Sequence, residues 1–159
     1  VSIEIVEAKD SNVPDMVELW REFMDHHKDI DPRFPMREDA HVSFEQHLRE
    51  LMRAENTLIL VALDESRAVG FSISQANEYP PIWVEREKYG FIDTMAITAD
   101  HRRQGIGEQM LDRMFEWFAL HGIDRIELTV AARNQVGYSF WRKHDFHDFA
   151  HRLYMQRGR

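Results

Sequence analysis

The sequence predicts an α/β domain with a mixed sheet, and three observations carry that expectation. Short runs of alternating or continuous apolar residues recur at strand length, and stretches with an apolar period near 3.6 lie between them. In addition, 43% of the 159 residues are hydrophobic, enough to fill one core without disulfide or metal staples. A single domain over residues 1–159 is the matching expectation.

Ile3, Ile5 and Val6 in SIEIVEA alternate as a first strand. Ser11-Asn12-Val13-Pro14-Asp15 then places a polar cap and a first-turn proline before Met16, Val17, Trp20, Phe23 and Met24, an amphipathic helix ending near His26 and His27. KDIDPRFPMRED has two prolines and no period and reads as a loop. A second helix follows from about Ser43, with Phe44, His47, Leu48, Leu51 and Met52 on one side.

Thr57 to Leu63 is a continuous apolar run of strand length, and Ala68 to Gln75 alternates after the polar turn 64–67, so the two predict an antiparallel hairpin. Ala76 to Tyr89 contains Pro80-Pro81 and reads as a long loop or as a strand extension ending in one. Gly90 to Thr98 is the fourth strand. From Gly105, the residues Ile106, Met110, Leu111, Met114, Trp117 and Phe118 form a helical face that Gly122 stops. Arg125 to Ala131 alternates as a fifth strand, Asn134 can cap a helix running to Lys143, and HDFAHRLYMQRGR is expected to close the sheet as a sixth strand.

Composition excludes several chemistries. With no cysteine there is no disulfide framework, Cys-ligated metal site or cysteine nucleophile, so any reactive sulfur has to come with a ligand. A net charge of −8 argues against a general nucleic-acid binder and suits a small cationic substrate. No apolar run is long enough for a membrane span, and VSIEIVEAKD lacks the pattern of a signal peptide, so the expectation is a cytoplasmic protein with no membrane partner.

The most informative segment is DHRRQGIGEQ, residues 100–109, between a strand and a strong helix. Gly105 and Gly107 allow a tight turn whose amides open the helix, and Arg102 and Arg103 add charge beside its positive N-terminus, which suits a pyrophosphate. A glycine-rich turn with solvated arginines is the plainer reading. Neither a Walker loop nor the three-glycine dinucleotide fingerprint fits.

Arg102-Arg103-Gln104-Gly105-Ile106-Gly107 resembles the signature of the GNAT superfamily of acyl-CoA-dependent N-acetyltransferases: Arg or Gln, two residues, Gly, one residue, Gly or Ala. FIDTMAIT is similar to that family's fourth strand, RIELTVAARN to its fifth strand running to an Asn, and FWRKHDF to the end of its last helix. The resemblance implies a mostly antiparallel mixed sheet of six to seven strands, helices on both faces, and splayed fourth and fifth strands. It further implies that acetyl-CoA places its pyrophosphate on the amides from Arg103 to Gly107, including Gln104, Gly105 and Ile106, with Arg102 alongside. The pantetheine arm would pair with the backbone of Met95, Ala96 and Ile97, as an added strand would. Asn134 matches the family's cofactor-contacting Asn, and a plain helix cap is an equal reading of it.

Acetyl transfer needs a group to take the amine proton and donors for the oxyanion and the thiolate. Asp93, the one ionisable residue inside the fourth strand, looks like the position of the catalytic Glu in spermidine/spermine N-acetyltransferases. Its alternative role is a strand carboxylate facing a substrate cation or solvent. An amide near Ala96 or Ile97 would hold the oxyanion. Where many family members have a Tyr that donates to the thiolate, this chain has Trp141, whose indole N–H can hydrogen-bond but is no practical acid. Tyr138, three residues earlier on nearly the same helical face, is the substitute acid or an ordinary packed Tyr. Asp145 stands where the family often has Gly.

His26, His27, His41 and His47 could gather around the early loop, but no metal-ligand motif is present and no metal is expected. Tyr79, Trp83 and Tyr89, with Glu78, Glu85 and Glu87, could line an acceptor pocket, or pack in a core or a dimer contact. The expected activity is transfer of acetyl from acetyl-CoA to a primary amine of a small molecule, or of a protein, in a direct ternary complex. A homodimer stays an open alternative. So does a non-catalytic acyl-CoA-binding module of the same fold. A nucleotide-binding domain is the third reading.

Overall fold

A computed structural model describes residues 2–33, 36–82 and 87–158. Residues 1–129 pack as one compact unit and residues 130–159 as another. The first unit runs β1 (Ile3–Glu7), a 3-10 turn at Asp10–Asn12, α1 (Val13–Ile30), α2 (Ala40–Arg53), β2 (Thr57–Asp64), β3 (Arg67–Glu78) and β4 (Lys88–Ile97). A second 3-10 turn at Ala99–His101, α3 (Ile106–Leu120) and β5 (Ile126–Leu128) complete it.

The strands lie side by side in chain order. β1 through β4 are antiparallel to their neighbours and β5 is parallel to β4, so the sheet is mixed. α1 outlasts the expected end at His27 by three residues, and α2 begins three residues before Ser43. Ala76 to Glu78 belong to β3, so the strand extension is the reading that holds there.

α1 and α2 bury Val13, Met16, Val17, Leu19, Phe44 and Leu48 against Ile59, Val61, Phe71, Ile73 and Ala96, which form one face of the sheet. Burial of a side chain such as Leu48 contributes about 1.5–3 kcal/mol. α3 packs on β2, β3 and β4 through a separate buried set of Ile106, Met110, Leu111, Met114 and Phe118. Period-2 geometry puts Leu58, Leu60, Ser72 and Ser74 opposite the α1/α2 core, on the α3 face. At Gly90 the fit is tight: a β-carbon there would meet the Phe118 ring at 2.5 Å.

In the second unit α4 spans Gln135–Lys143, and Asn134 caps it by accepting a 3.0 Å hydrogen bond from the Gly137 amide. A β-carbon on Gly137 would lie 2.5 Å from Asn134 Nδ2, so a glycine makes room for this cap. Asp145 takes φ 67°, the left-handed conformation for which glycine is the usual choice.

The sheet has five strands among the described residues, which corrects the expectation of six to seven. The closing strand is the missing one. Residues 144–158 form no ladder, and Phe149, Leu153 and Met155 are 73%, 88% and 74% exposed. Apolar residues in this stretch fall at 146, 149, 150, 153, 154 and 155, which is no period of two, so no face exists for a sheet to bury. β5 is also shorter than the expected Arg125–Ala131.

Candidate active site

β4 contains the feature that organises the site. Thr94 pairs with Ile73 and Ile92 with Ser74, so Asp93 is an extra residue with no opposite number on β3. The bulge exchanges the faces of the strand. Before it, Gly90 and Ile92 are buried on the α3 face, opposite to that of Ile73; after it, Thr94 and Ala96 are buried on the α1/α2 face. Asp93 follows Tyr89 and Phe91 on the α1/α2 side and is exposed, accepting a 2.9 Å hydrogen bond from Thr94 Oγ1.

β4 loses its second neighbour at the same level. Its parallel pairing with β5 covers Gly90 to Ile92 against Ile126 to Leu128 and ends there. From Asp93 to Ile97 the edge on the β5 side has no ladder partner among the described residues. Backbone N–H and C=O groups on such an edge need partners, and an amide-bearing chain laid alongside supplies them. One carbonyl on this segment is partly engaged, because Arg102 Nε donates to the Ile97 oxygen at 3.0 Å.

The turn after β4 aims backbone amides outward. Arg103 at φ 59° and Gly105 at φ 80° alternate with residues of other conformation, and Gly105 is the N-cap of α3. No side chain caps that helix end. The first-turn amides of Ile106 and Gly107 accordingly lie where an anion would meet the field of the helix dipole. Arg102, Arg103, Gln104 and Gly105 are all exposed.

Glu22 holds this turn in place, a role no motif announces. From α1 it accepts hydrogen bonds from Thr98 Oγ1 at 2.9 Å and the Ala99 amide at 2.8 Å, and it lies 3.7 Å from Arg102 Nη2. Asp15, two turns earlier on the same helical side, likewise accepts from the Ala68 amide at 3.0 Å. Between α1 and these sheet ends lies a cavity of about 850 Å³, lined by Asp15, Glu22, Asp25, His26, Arg67 and Arg102 among others. Burial, followed by the neighbouring Arg102 and His27 charges, lowers the His26 pKa below its ordinary 6.5.

On the face that carries Asp93, Tyr79 stacks on Tyr89 with ring centres 4.2 Å apart. Tyr79 donates its hydroxyl hydrogen to Glu127, and Arg125 Nε donates to the Tyr79 oxygen at 2.9 Å and to Glu127 Oε2 at 3.0 Å. Burial and the Glu127 hydrogen bond raise the Tyr79 pKa, and the Glu127 bond raises that of Arg125. Of the residues expected to line an acceptor pocket, Tyr79 is thus bound to β5, while Trp83 and Glu85 lie outside the described residues. Among the described residues no three His, Asp or Glu side chains are grouped to hold a metal ion, and His27 Nδ1 is 2.9 Å from the Phe23 carbonyl.

In the second unit Tyr138 donates to Asp148 Oδ1 at 2.7 Å, and that hydrogen bond raises its pKa above the ordinary value. Trp141 packs edge-on to Phe140 and Phe146, with centroids 5.0 and 5.2 Å away. Asn134 Oδ1 is engaged as the acceptor of the helix cap, and the Nδ2 amide is its donor group.

Comparison with known proteins decides the family. The profile of the acetyltransferase (GNAT) family matches residues 15–146, well over half of the chain. The chain belongs to the GNAT acetyltransferase family. Solved structures share the GNAT fold at low identity. The aminoglycoside 6'-N-acetyltransferase AAC(6')-Ih from Acinetobacter baumannii is 18% identical with a TM-score of 0.76, covering 99% of both chains. A point-mutant form of the BH1408 protein from Bacillus halodurans is 17% identical with a TM-score of 0.87, over 96% of this chain and 98% of its own. The aminoglycoside N-acetyltransferase AAC(6')-Iy, solved in complex with CoA, is 14% identical with a TM-score of 0.73, over 98% and 95%. No curated protein matches this GNAT chain in sequence. None of its described helices is long and apolar enough to cross a membrane.

Proposed function

We propose that this GNAT domain transfers an acetyl group from acetyl-CoA to a primary amine of a small molecule, by direct attack in a ternary complex. One observation carries the reading: the Asp93 bulge coincides with the end of β4–β5 pairing, which sets an exposed carboxylate beside an open strand edge. The amide-rich turn before α3 begins nine residues downstream at Arg102. Pantetheine amides match the edge at Met95 to Ile97, and the pyrophosphate matches the amides from Arg103 to Gly107.

In the proposed reaction the amine nitrogen attacks the thioester carbon, a C–N bond forms and the C–S bond breaks. Asp93 takes the amine proton, directly or through one water, and an amide near Ala96 or Ile97 holds the oxyanion. The thiolate leaves and is reprotonated. Trp141 and Asn134 are assigned to cofactor contact, with Tyr138 as the candidate acid. Its bond to Asp148 has to break before it can donate elsewhere. A single domain over 1–159 and a small cationic acceptor complete the proposal. The named aminoglycoside acetyltransferases of the same fold favour a polyamine-like acceptor.

A panel of amines that includes aminoglycosides, assayed with acetyl-CoA by release of free thiol, tests this reading. Turnover with at least one small amine is expected. Tight CoA binding without turnover on any amine favours instead a binding module, a reading that the engaged Tyr138 hydroxyl and the Trp141 substitution support.

A further inference from the structure

The cluster of Tyr79, Glu127 and Arg125 spans three strands along the short β4–β5 ladder, just before the sheet divides past Ile92 and Leu128. Tyr79 directly follows β3, Tyr89 beneath it belongs to β4, and Arg125 and Glu127 lie at the start of β5. Glu127 pairs with Phe91, two residues before the Asp93 bulge. Arg125 is held at the same level by its backbone, since its carbonyl accepts from the Gly90 amide at 2.8 Å. Tyr79 and Arg125 both donate to one carboxylate oxygen, Glu127 Oε2.

We propose that Tyr79, Glu127 and Arg125 act as a latch that fixes where β4 and β5 part, and thereby position Asp93 and the open Met95–Ile97 edge for the acyl donor. The β4–β5 ladder is only three residues long, so its own hydrogen bonds define the branch point weakly. A parallel pair this short frays readily, because each opened rung loses one contact and gains backbone freedom. The latch opposes fraying with hydrogen bonds to a half-buried charged group, which are stronger than neutral ones. It also joins β5 to β3, so β5 cannot move away from β4 without breaking contacts two strands distant. These residues touch no reacting atom; they are positioning residues, and the role rests on the acetyltransferase reading.

Tyr79→Phe removes a single O–H and keeps the stack on Tyr89, while Glu127→Gln keeps the shape and removes the charge. The readouts are residue-resolved hydrogen exchange, CoA affinity by calorimetry and thermal midpoint. In both variants the amides of Gly90 and of 126–128 should exchange about ten-fold faster, with β2 amides unchanged as an internal control. CoA should bind about 3- to 10-fold more weakly, out of proportion to any change in midpoint. Unaltered protection at the branch point, or a loss spread evenly over the sheet with CoA affinity intact, overturns the latch. A wild-type protein that binds no CoA refutes the acetyltransferase reading and the positioning role with it. Unchanged branch-point protection alongside normal CoA binding refutes the latch alone.

Discussion

The two halves of β4 differ in what surrounds them. Lys88 to Ile92 has β3 on one side, β5 along its last three residues on the other, and the Phe118 ring against Gly90. Among the described residues Thr94 to Ile97 pair with β3 alone, with the exposed Asp93 carboxylate before them and the turn at 102–105 beyond their end. The first half satisfies its backbone within the sheet and anchors; the second leaves donors and acceptors for a ligand. One extra residue separates a segment paired on both sides from one with an open edge, and the strand continues through both.

The sharpest way to break this contrast is at Asp93. Asp93→Asn removes the proposed base, and kcat/KM for amine acetylation should fall about 100-fold, with CoA affinity and thermal midpoint nearly unchanged. Equal activity would assign the carboxylate to solvent. On the anchoring half, Gly90→Ala forces a methyl group into the Phe118 ring and should cost about 1–3 kcal/mol in denaturant unfolding. An unaffected midpoint would mean that this half is as pliable as the other.

Smaller effects should come from the support of the turn. Glu22→Gln removes the charge beside Arg102 and weakens the grip on Thr98 and Ala99. It should lower stability by about 1 kcal/mol and weaken CoA binding a few-fold, measured by chemical denaturation and calorimetry. The smallest concerns pH. Because the folded state lowers the His26 pKa, the unfolded chain binds more protons as pH falls through 6.5. His26 therefore makes stability decline on acidification below that value, and His26→Gln should flatten the fall of thermal midpoint as pH drops through 6.5.

Features that depend on a residue's own backbone or its near neighbours were legible in the sequence. The turn at 102–107 could be placed because a left-handed φ before a helix favours Gly105, and the α4 start because Asn134 caps locally. The bulge was not legible, for a specific reason. Buried and accessible residues alternate without interruption from Gly90 to Ile97, although the burying face changes from α3 to α1/α2 at Asp93. Only the register against Ile73 and Ser74 reveals the extra residue. Glu22 escaped because its partners Thr98 and Ala99 are 76 and 77 residues away. The expected closing strand does not form because aromatic and apolar content without a period of two offers a sheet no face to bury.

The bulge is a phase defect in an otherwise regular lattice, and the chain's lack of cysteine makes that defect countable. A cysteine walked along β4 would meet no native thiol in this sequence. Cross-linking it to a second engineered thiol on α3 should succeed at even positions up to 92 and at odd positions from 95 onward. The parity of successful cross-links would then reverse across one residue, Asp93.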